Sequence, residues 1–156
     1  FGRVGASAQL LPDLNAWENA ALPLLMRGAG RRTARAAAQE WLERLDIGEA
    51  ARKRPADLVQ AQRQRVAVAR ALVTGPAVVF ADEPTAPLHR ADGAQVLRTL
   101  VSAARSHGIT VLLATGDPEA ARHADRTIPL VDGRLGAPMP AQERDRHLHS
   151  PRPASV

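Results

Sequence analysis

The densest chemistry in the sequence is the adjacent carboxylate pair Asp82-Glu83, which closes the apolar run Ala77-Val78-Val79-Phe80-Ala81 and precedes Pro84-Thr85. A short, β-branched apolar run suits a strand buried on both faces. A strand ending in acids delivers them to the C-terminal edge of its sheet, where open α/β folds bind ligands. Successive strand residues point to opposite faces, so the two acids can take different roles. One can hold Mg²⁺ directly or through water, and the next can orient or deprotonate an attacking water. A turn-initiating Asp-Glu-Pro after an ordinary strand is the competing reading. Other chemistry-bearing residues are less organised. His147 and His149, two apart, have metal-ligand types but sit in a polar tail. Ser7 and Ser102 show no base-and-orienter pattern for a nucleophile. A GxGxxG dinucleotide fingerprint is absent.

The elements that must position the acid pair are legible from periodicity. The text from Asn15 to Met26 is apolar, interrupted by Pro23, and Gly28 and Gly30 mark a loop. Ala34, Ala37, Ala38, Trp41, Leu42 and Leu45 fall on one helical face, with Arg35, Gln39, Glu43 and Arg44 facing away. Asp46-Ile47-Gly48 ends that helix. Gln62 to Val73 reads as a helix stopped by Thr74-Gly75-Pro76. After the acid pair, Ala94, Leu97, Val101 and Ala104 line a helix that Gly108 closes. Ile109 to Leu113 predicts a second buried strand, and Asp117-Pro118 a helix start. Thr127 to Val131 predicts a third strand, which Pro129 confines to an edge, and Asp132-Gly133 a tight turn. Strand–helix–strand–helix–strand over 77–131 is the text of a parallel sheet with crossover helices, an α/β fold. Residues 13–75 are helical text and form an expected helical subdomain.

Composition narrows the classes. The chain has 156 residues, a length for one domain or part of one, and 45% apolar content is enough to fill a core. There is no cysteine, so a disulfide framework or thiolate metal site is excluded. No apolar stretch nears the ~18 residues of a membrane span. The net charge of +5 comes from arginines dispersed among acids, tightest at Arg31, Arg32 and Arg35. With two Phe, two Trp and no Tyr there is no base-stacking platform, so no nucleic-acid partner is expected. The tail 137–156 carries Pro138, Pro140, Pro151 and Pro153 with many charges, and is expected to be disordered.

In register along the chain, Leu10-Leu11-Pro12-Asp13-Leu14, Glu18-Asn19, Leu22-Pro23-Leu24, then Gln62-Arg63-Gln64-Arg65-Val66-Ala67-Val68-Ala69-Arg70-Ala71-Leu72, and finally Ala81-Asp82-Glu83-Pro84-Thr85 resemble the ATP-binding subunits of ABC transporters. The similarity runs from residue 1 to about 135 and lies closest to the lipoprotein-release and macrolide-export branch. It implies a P-loop NTPase core, a parallel sheet with helices on both faces plus a helical subdomain. The segments become a Q-loop region (1–12), a helical subdomain with the signature (13–75), the second half of the α/β ATPase core (76–136) and the tail (137–156). It also implies ATP and Mg²⁺ as cofactors, a second ATP-binding subunit and a transmembrane permease as partners, and a place on the cytoplasmic face of the membrane. Asp82 would hold Mg²⁺ and Glu83 would act on the attacking water. The surface around Leu10 to Met26 would receive the permease.

The same alignment implies losses. The phosphate loop G-x-x-x-x-G-K-[ST] does not occur in these residues; in the family it precedes the point aligned with Phe1, together with a strand expected in the middle of the sheet. Its absence predicts unpaired backbone groups and an open core. The Q-loop glutamine falls on Ala6. The signature L-S-G-G-Q reads Leu58-Val59-Gln60-Ala61-Gln62. In the family that helix N-terminus clasps the nucleotide of the opposite subunit. Val59 removes the hydroxyl, and Gln60 and Ala61 add side chains where glycines let phosphate approach. The D-loop aspartate falls on His89 and the switch histidine on Gly116. Two functions therefore stay open: an export ATPase subunit with impaired hydrolysis, or a non-hydrolysing structural or regulatory partner.

Overall fold

The computed structural model describes residues 1–136 and the backbone of 139–140. The tail 137–156, with His147 and His149, otherwise lies outside the described residues. The elements run β1 (Gly2–Val4), α1 (Ala16–Met26), α2 (Arg31–Arg44), two 3-10 turns (Gly48–Ala50 and Pro55–Asp57), α3 (Gln60–Leu72), β2 (Val78–Asp82), α4 (Arg90–Ser106), β3 (Thr110–Ala114), α5 (Pro118–Ala121) and the two-residue strands β4 (Arg126–Thr127), β5 (Leu130–Val131), β6 (Arg134–Leu135) and β7 (Met139–Pro140).

The sheet is parallel, ordered β1-β2-β3, with the acid-bearing β2 in the centre. Gly2, Val79 and Val111 share one row, and Val4, Ala81 and Leu113 another on the same face. That face meets the buried Val66, Val96 and Leu100 of α3 and α4 in a common core. β1 lies so close to α3 that a Cβ at Gly2 would sit 2.3 Å from the Ala71 carbonyl oxygen, so the strand needs glycine there. The opposite row, Arg3, Phe80 and Leu112, is exposed. β2 is therefore half-buried, where the apolar run predicts burial on both faces: among the described residues, no helix covers the Phe80 side. The expected gap in the sheet does not fall between these strands, which pair continuously.

The third strand of the parallel sheet is β1, not Thr127–Val131. Pro129 has no N–H to give a ladder, and the segment splits into β4 and β5. β5 turns back on β6 as an antiparallel hairpin. Asp132 and Gly133 at its tip have φ of 50° and 74°, the left-handed pair that a tight hairpin requires.

Three helices lie within 13–75, and α1 runs on through Pro23, where the sequence reading places an interruption. Asn15 caps α1, accepting from the Glu18 N–H at 3.0 Å while the Glu18 carboxylate accepts from the Asn15 N–H at 3.1 Å. α2 buries Ala34, Ala38, Trp41 and Leu42, the predicted face, and Leu45 just beyond it. The arginine cluster is stitched to α1: Arg31 and Arg35 lie 5.4 and 5.3 Å from the centre of the Trp17 ring, and Arg31 pairs with Glu18 at 3.1 Å. α4 buries Gly93, Val96, Leu97, Leu100 and Ala104, so its buried stripe is rotated from the predicted one, leaving Ala94 and Val101 half-buried. No helix among the described residues is long and apolar enough to cross a membrane.

Candidate functional site

Because the three strands are parallel and in register, the chain leaves them at one edge: Gly5-Ala6 after β1, Asp82-Glu83 at the end of β2, and Thr115-Gly116 after β3. Asp82 is the last residue of β2 and is exposed there. Glu83 has φ 44°, a conformation uncommon for a residue with a Cβ. Contacts to the end of the neighbouring strand hold it at both ends. Its N–H donates to the Ala114 carbonyl at 2.9 Å. One carboxylate oxygen, Oε1, accepts from the Gly116 N–H at 2.6 Å, and Oε2 accepts from the Thr115 hydroxyl at 3.1 Å. The Thr115 oxygen in turn accepts from the Asp117 N–H at 3.1 Å. Asp117 caps α5 through the Glu119 N–H at 3.0 Å, as its sequence predicts.

The residues aligned with the signature open α3. Val59 is its N-cap and is 65% exposed; Gln60 is exposed and Ala61 buried. The Gln62 side chain accepts from the Val59 N–H at 3.1 Å. That is half of a capping box, since valine has no oxygen to return a bond to the first turn. Further along, α3 holds the segment after β1. Gln64, fully buried, donates to the Gly5 carbonyl at 2.7 Å. Arg70 donates to the carbonyls of Ala8 at 2.6 Å and Gln9 at 2.9 Å. Burial pushes the Arg70 guanidinium below its ordinary pKa by desolvation. A cleft of ≈ 270 Å³ runs between this segment and α3, lined by Ser7, Gln9, Gln60, Arg63 and Gln64 among others.

The fold thus brings Glu83 and Gly116 into direct contact beside Asp82. Ala6, exposed, leaves the same edge, and Val59–Gln62 begin the helix that grips the following residues. His89 is exposed at the N-cap of α4 and makes no side-chain cap bond. Sequence reasoning misses Thr115, Gln64 and Arg70. A hydroxyl right after a strand and polar residues in α3, where Gln60, Gln62, Arg63 and Arg65 are polar as well, are the available signals, and neither specifies a partner.

The family model described as ABC transporter matches residues 1–86. The chain belongs to the ABC transporter family. It is 42% identical over 138 residues to the lipoprotein-releasing system ATP-binding protein LolD 2 of Caulobacter vibrioides, covering 86% of this chain and 60% of that protein. It is 40% identical over 147 residues to the macrolide export ATP-binding/permease protein MacB of Marinobacter nauticus, covering 92% of this chain and 23% of that one. Among solved structures, the ATP-binding cassette MJ0796, in a post-hydrolysis dimer bound to ADP and Pi, superposes with TM-score 0.77 at 35% identity, over 90% of this chain and 62% of that one. The chain thus spans less than two thirds of the length of these relatives. Its fold is that of the ABC ATPase core, a P-loop NTPase architecture.

The ABC residues present here suit a magnesium ion that depends on phosphate. Among the described residues no three of His, Cys, Asp or Glu converge as a metal cage. Mg²⁺ commonly takes one or two carboxylates, with water and substrate phosphate filling the other positions. Asp82, exposed at the sheet edge, is a carboxylate of the kind such a site would use, while both oxygens of Glu83 are engaged by residues 115–116.

Proposed function

We propose that the polypeptide containing this chain is the ATP-binding subunit of an ABC-type export system, coupling MgATP binding and hydrolysis to a membrane permease. Asp82 ligates Mg²⁺, which neutralises phosphate charge when bound. Glu83 orients and polarises the attacking water. Val59, Gln60, Ala61 and Gln62 face the nucleotide of a second ATP-binding subunit, and the surface from Leu10 to Met26 receives the permease. The subunit works peripherally, at the cytoplasmic face of the membrane. LolD 2 and MacB support the export branch by their names, which speak of lipoprotein release and macrolide export. The observation that carries the reading is the place of Asp82 and Glu83 at the C-terminal edge of the central strand, with Glu83 pinned in an uncommon backbone conformation.

Hydrolysis is slow in this reading. Loss of one transition-state group costs about 10²–10³ in rate, and positions 6, 59–61, 89 and 116 all depart from the family pattern. A second reading, a non-hydrolysing partner of an active ATPase, is favoured by the exposed Val59, which leaves α3 without a side-chain cap where the signature would meet phosphate. ATP turnover by the full-length polypeptide decides between them. Turnover abolished by Glu83→Gln supports the first; turnover at background before and after the substitution supports the second. The 156-residue chain alone is expected to show no MgATP binding by calorimetry at micromolar concentration, because the phosphate loop does not occur in it.

A further inference from the structure

We propose that Thr115 is a positioning residue for Glu83, and that residues 115–117 form a latch fixing the direction of its carboxylate. This deepens the reading of Glu83 given above and rests on it. The Asp117 N–H bonds to the Thr115 oxygen at 3.1 Å. That bond occupies a lone pair of the hydroxyl and leaves its proton to be given elsewhere. The proton goes to Glu83 Oε2 at 3.1 Å, while the Gly116 N–H goes to Oε1 at 2.6 Å. Two donors on two different oxygens define the carboxylate plane, which one donor would leave free to rotate. A carboxylate has about four acceptor sites, so a latched Glu83 keeps free sites for water.

The backbone supports the same assignment. Glu83 sits at φ 44° and its N–H is tied to Ala114, the last residue of β3. Strained, over-determined backbone of this kind persists only where surrounding bonds hold it. The contact uses only the main chain of residue 116: an added Cβ would lie 3.5 Å from Glu83 Oε1, in ordinary van der Waals contact, and would leave the N–H bond in place. The direction of Glu83 here therefore comes from a main-chain N–H and a neighbouring hydroxyl, with no side chain required at 116.

The test reads the latch directly and the chemistry separately. Amide hydrogen exchange at Gly116, whose N–H has Glu83 as its partner, should be slowed in the wild type. It should speed up about fivefold to tenfold in Glu83→Ala and in Thr115→Val, and return in Thr115→Ser. In the full-length polypeptide, Thr115→Val should lower kcat about tenfold with KM for ATP unchanged, and Thr115→Ser should restore it. Gly116 exchange unmoved by Thr115→Val overturns the latch, as does unchanged kcat in that variant while Glu83→Gln is inactive. If Glu83→Gln turns over like the wild type, or the wild type does not turn over, the catalytic reading of Glu83 is lost and the latch stands or falls on exchange alone.

Discussion

Asn19 satisfies both main-chain groups of Leu11: its Oδ1 accepts from the Leu11 N–H at 2.8 Å and its Nδ2 donates to the Leu11 carbonyl at 3.1 Å. The same amide nitrogen reaches the carbonyls of Leu14 at 2.9 Å and Asn15 at 3.1 Å, and the side chain is fully buried. One residue of α1 thus shapes the loop that carries the chain from the sheet edge into the helices. Asn19→Ala removes the partner of the Leu11 N–H and of the Leu14 carbonyl together and empties a fully buried site. It should cost about 3 kcal/mol, read as a lower urea midpoint with an unchanged slope. A midpoint equal to the wild type would mean that other contacts shape the loop.

Arg70 acts on the same stretch from α3. Its planar fork spans two successive carbonyls, Ala8 and Gln9, and Gln9 is itself at φ 44°. Lysine offers no such fork, so Arg70→Lys should fail to hold both. Amide exchange through residues 5–9 should rise in Arg70→Lys and rise further in Arg70→Ala. Stability should fall by about 1 kcal/mol and about 2–3 kcal/mol respectively. Equal exchange in the wild type and Arg70→Ala would show that Gln64 alone restrains this segment.

Gly2 and Gly116 separate a glycine needed for packing from one that is not. A Cβ at Gly2 meets the Ala71 carbonyl at 2.3 Å, while at Gly116 the nearest group is Glu83 Oε1 at 3.5 Å. Gly2→Ala must push β1 off α3 and should destabilise by about 1–3 kcal/mol. Gly116→Ala should leave thermal stability within about 0.5 kcal/mol of the wild type. Matching melting temperatures for the two variants would contradict this packing of β1.

What the sequence discloses and what it hides follow from range. The α2 face, the Asp117 cap and the Asp132-Gly133 turn are local, set by periodicity, a single hydrogen bond or backbone handedness, and each forms as read. β1 escapes notice because Gly-Arg-Val has too few residues for a periodic signal; its pairing with β2, about 77 residues away in sequence, defines it. Phe80 reads as core and is exposed because an apolar run does not say whether both faces are covered. In the candidate site, the acid pair is visible as a strand ending. The Thr115 and Gly116 partners of Glu83 lie just past the end of the neighbouring strand β3, and no spacing rule links them.

Val59 leaves a specific deficiency that substitution can repair. The Gln62 side chain already bonds the Val59 N–H at 3.1 Å, so a hydroxyl at 59 would complete the reciprocal pair. Val59 is exposed, and its replacement removes little packing. Val59→Ser should therefore stabilise the chain by about 0.5–1 kcal/mol, raising the urea midpoint. In the full-length polypeptide the same serine, with glycines at 60 and 61 and Gly116→His, should raise ATP turnover. The glycines clear the helix N-terminus for phosphate, and a Cβ at 116 meets Glu83 Oε1 at 3.5 Å, so an imidazole carried there would start beside Glu83. If stability rises and turnover does not, α3 is capped as argued and the nucleotide role proposed for residues 59–62 is wrong. If neither changes, the cap geometry itself is wrong.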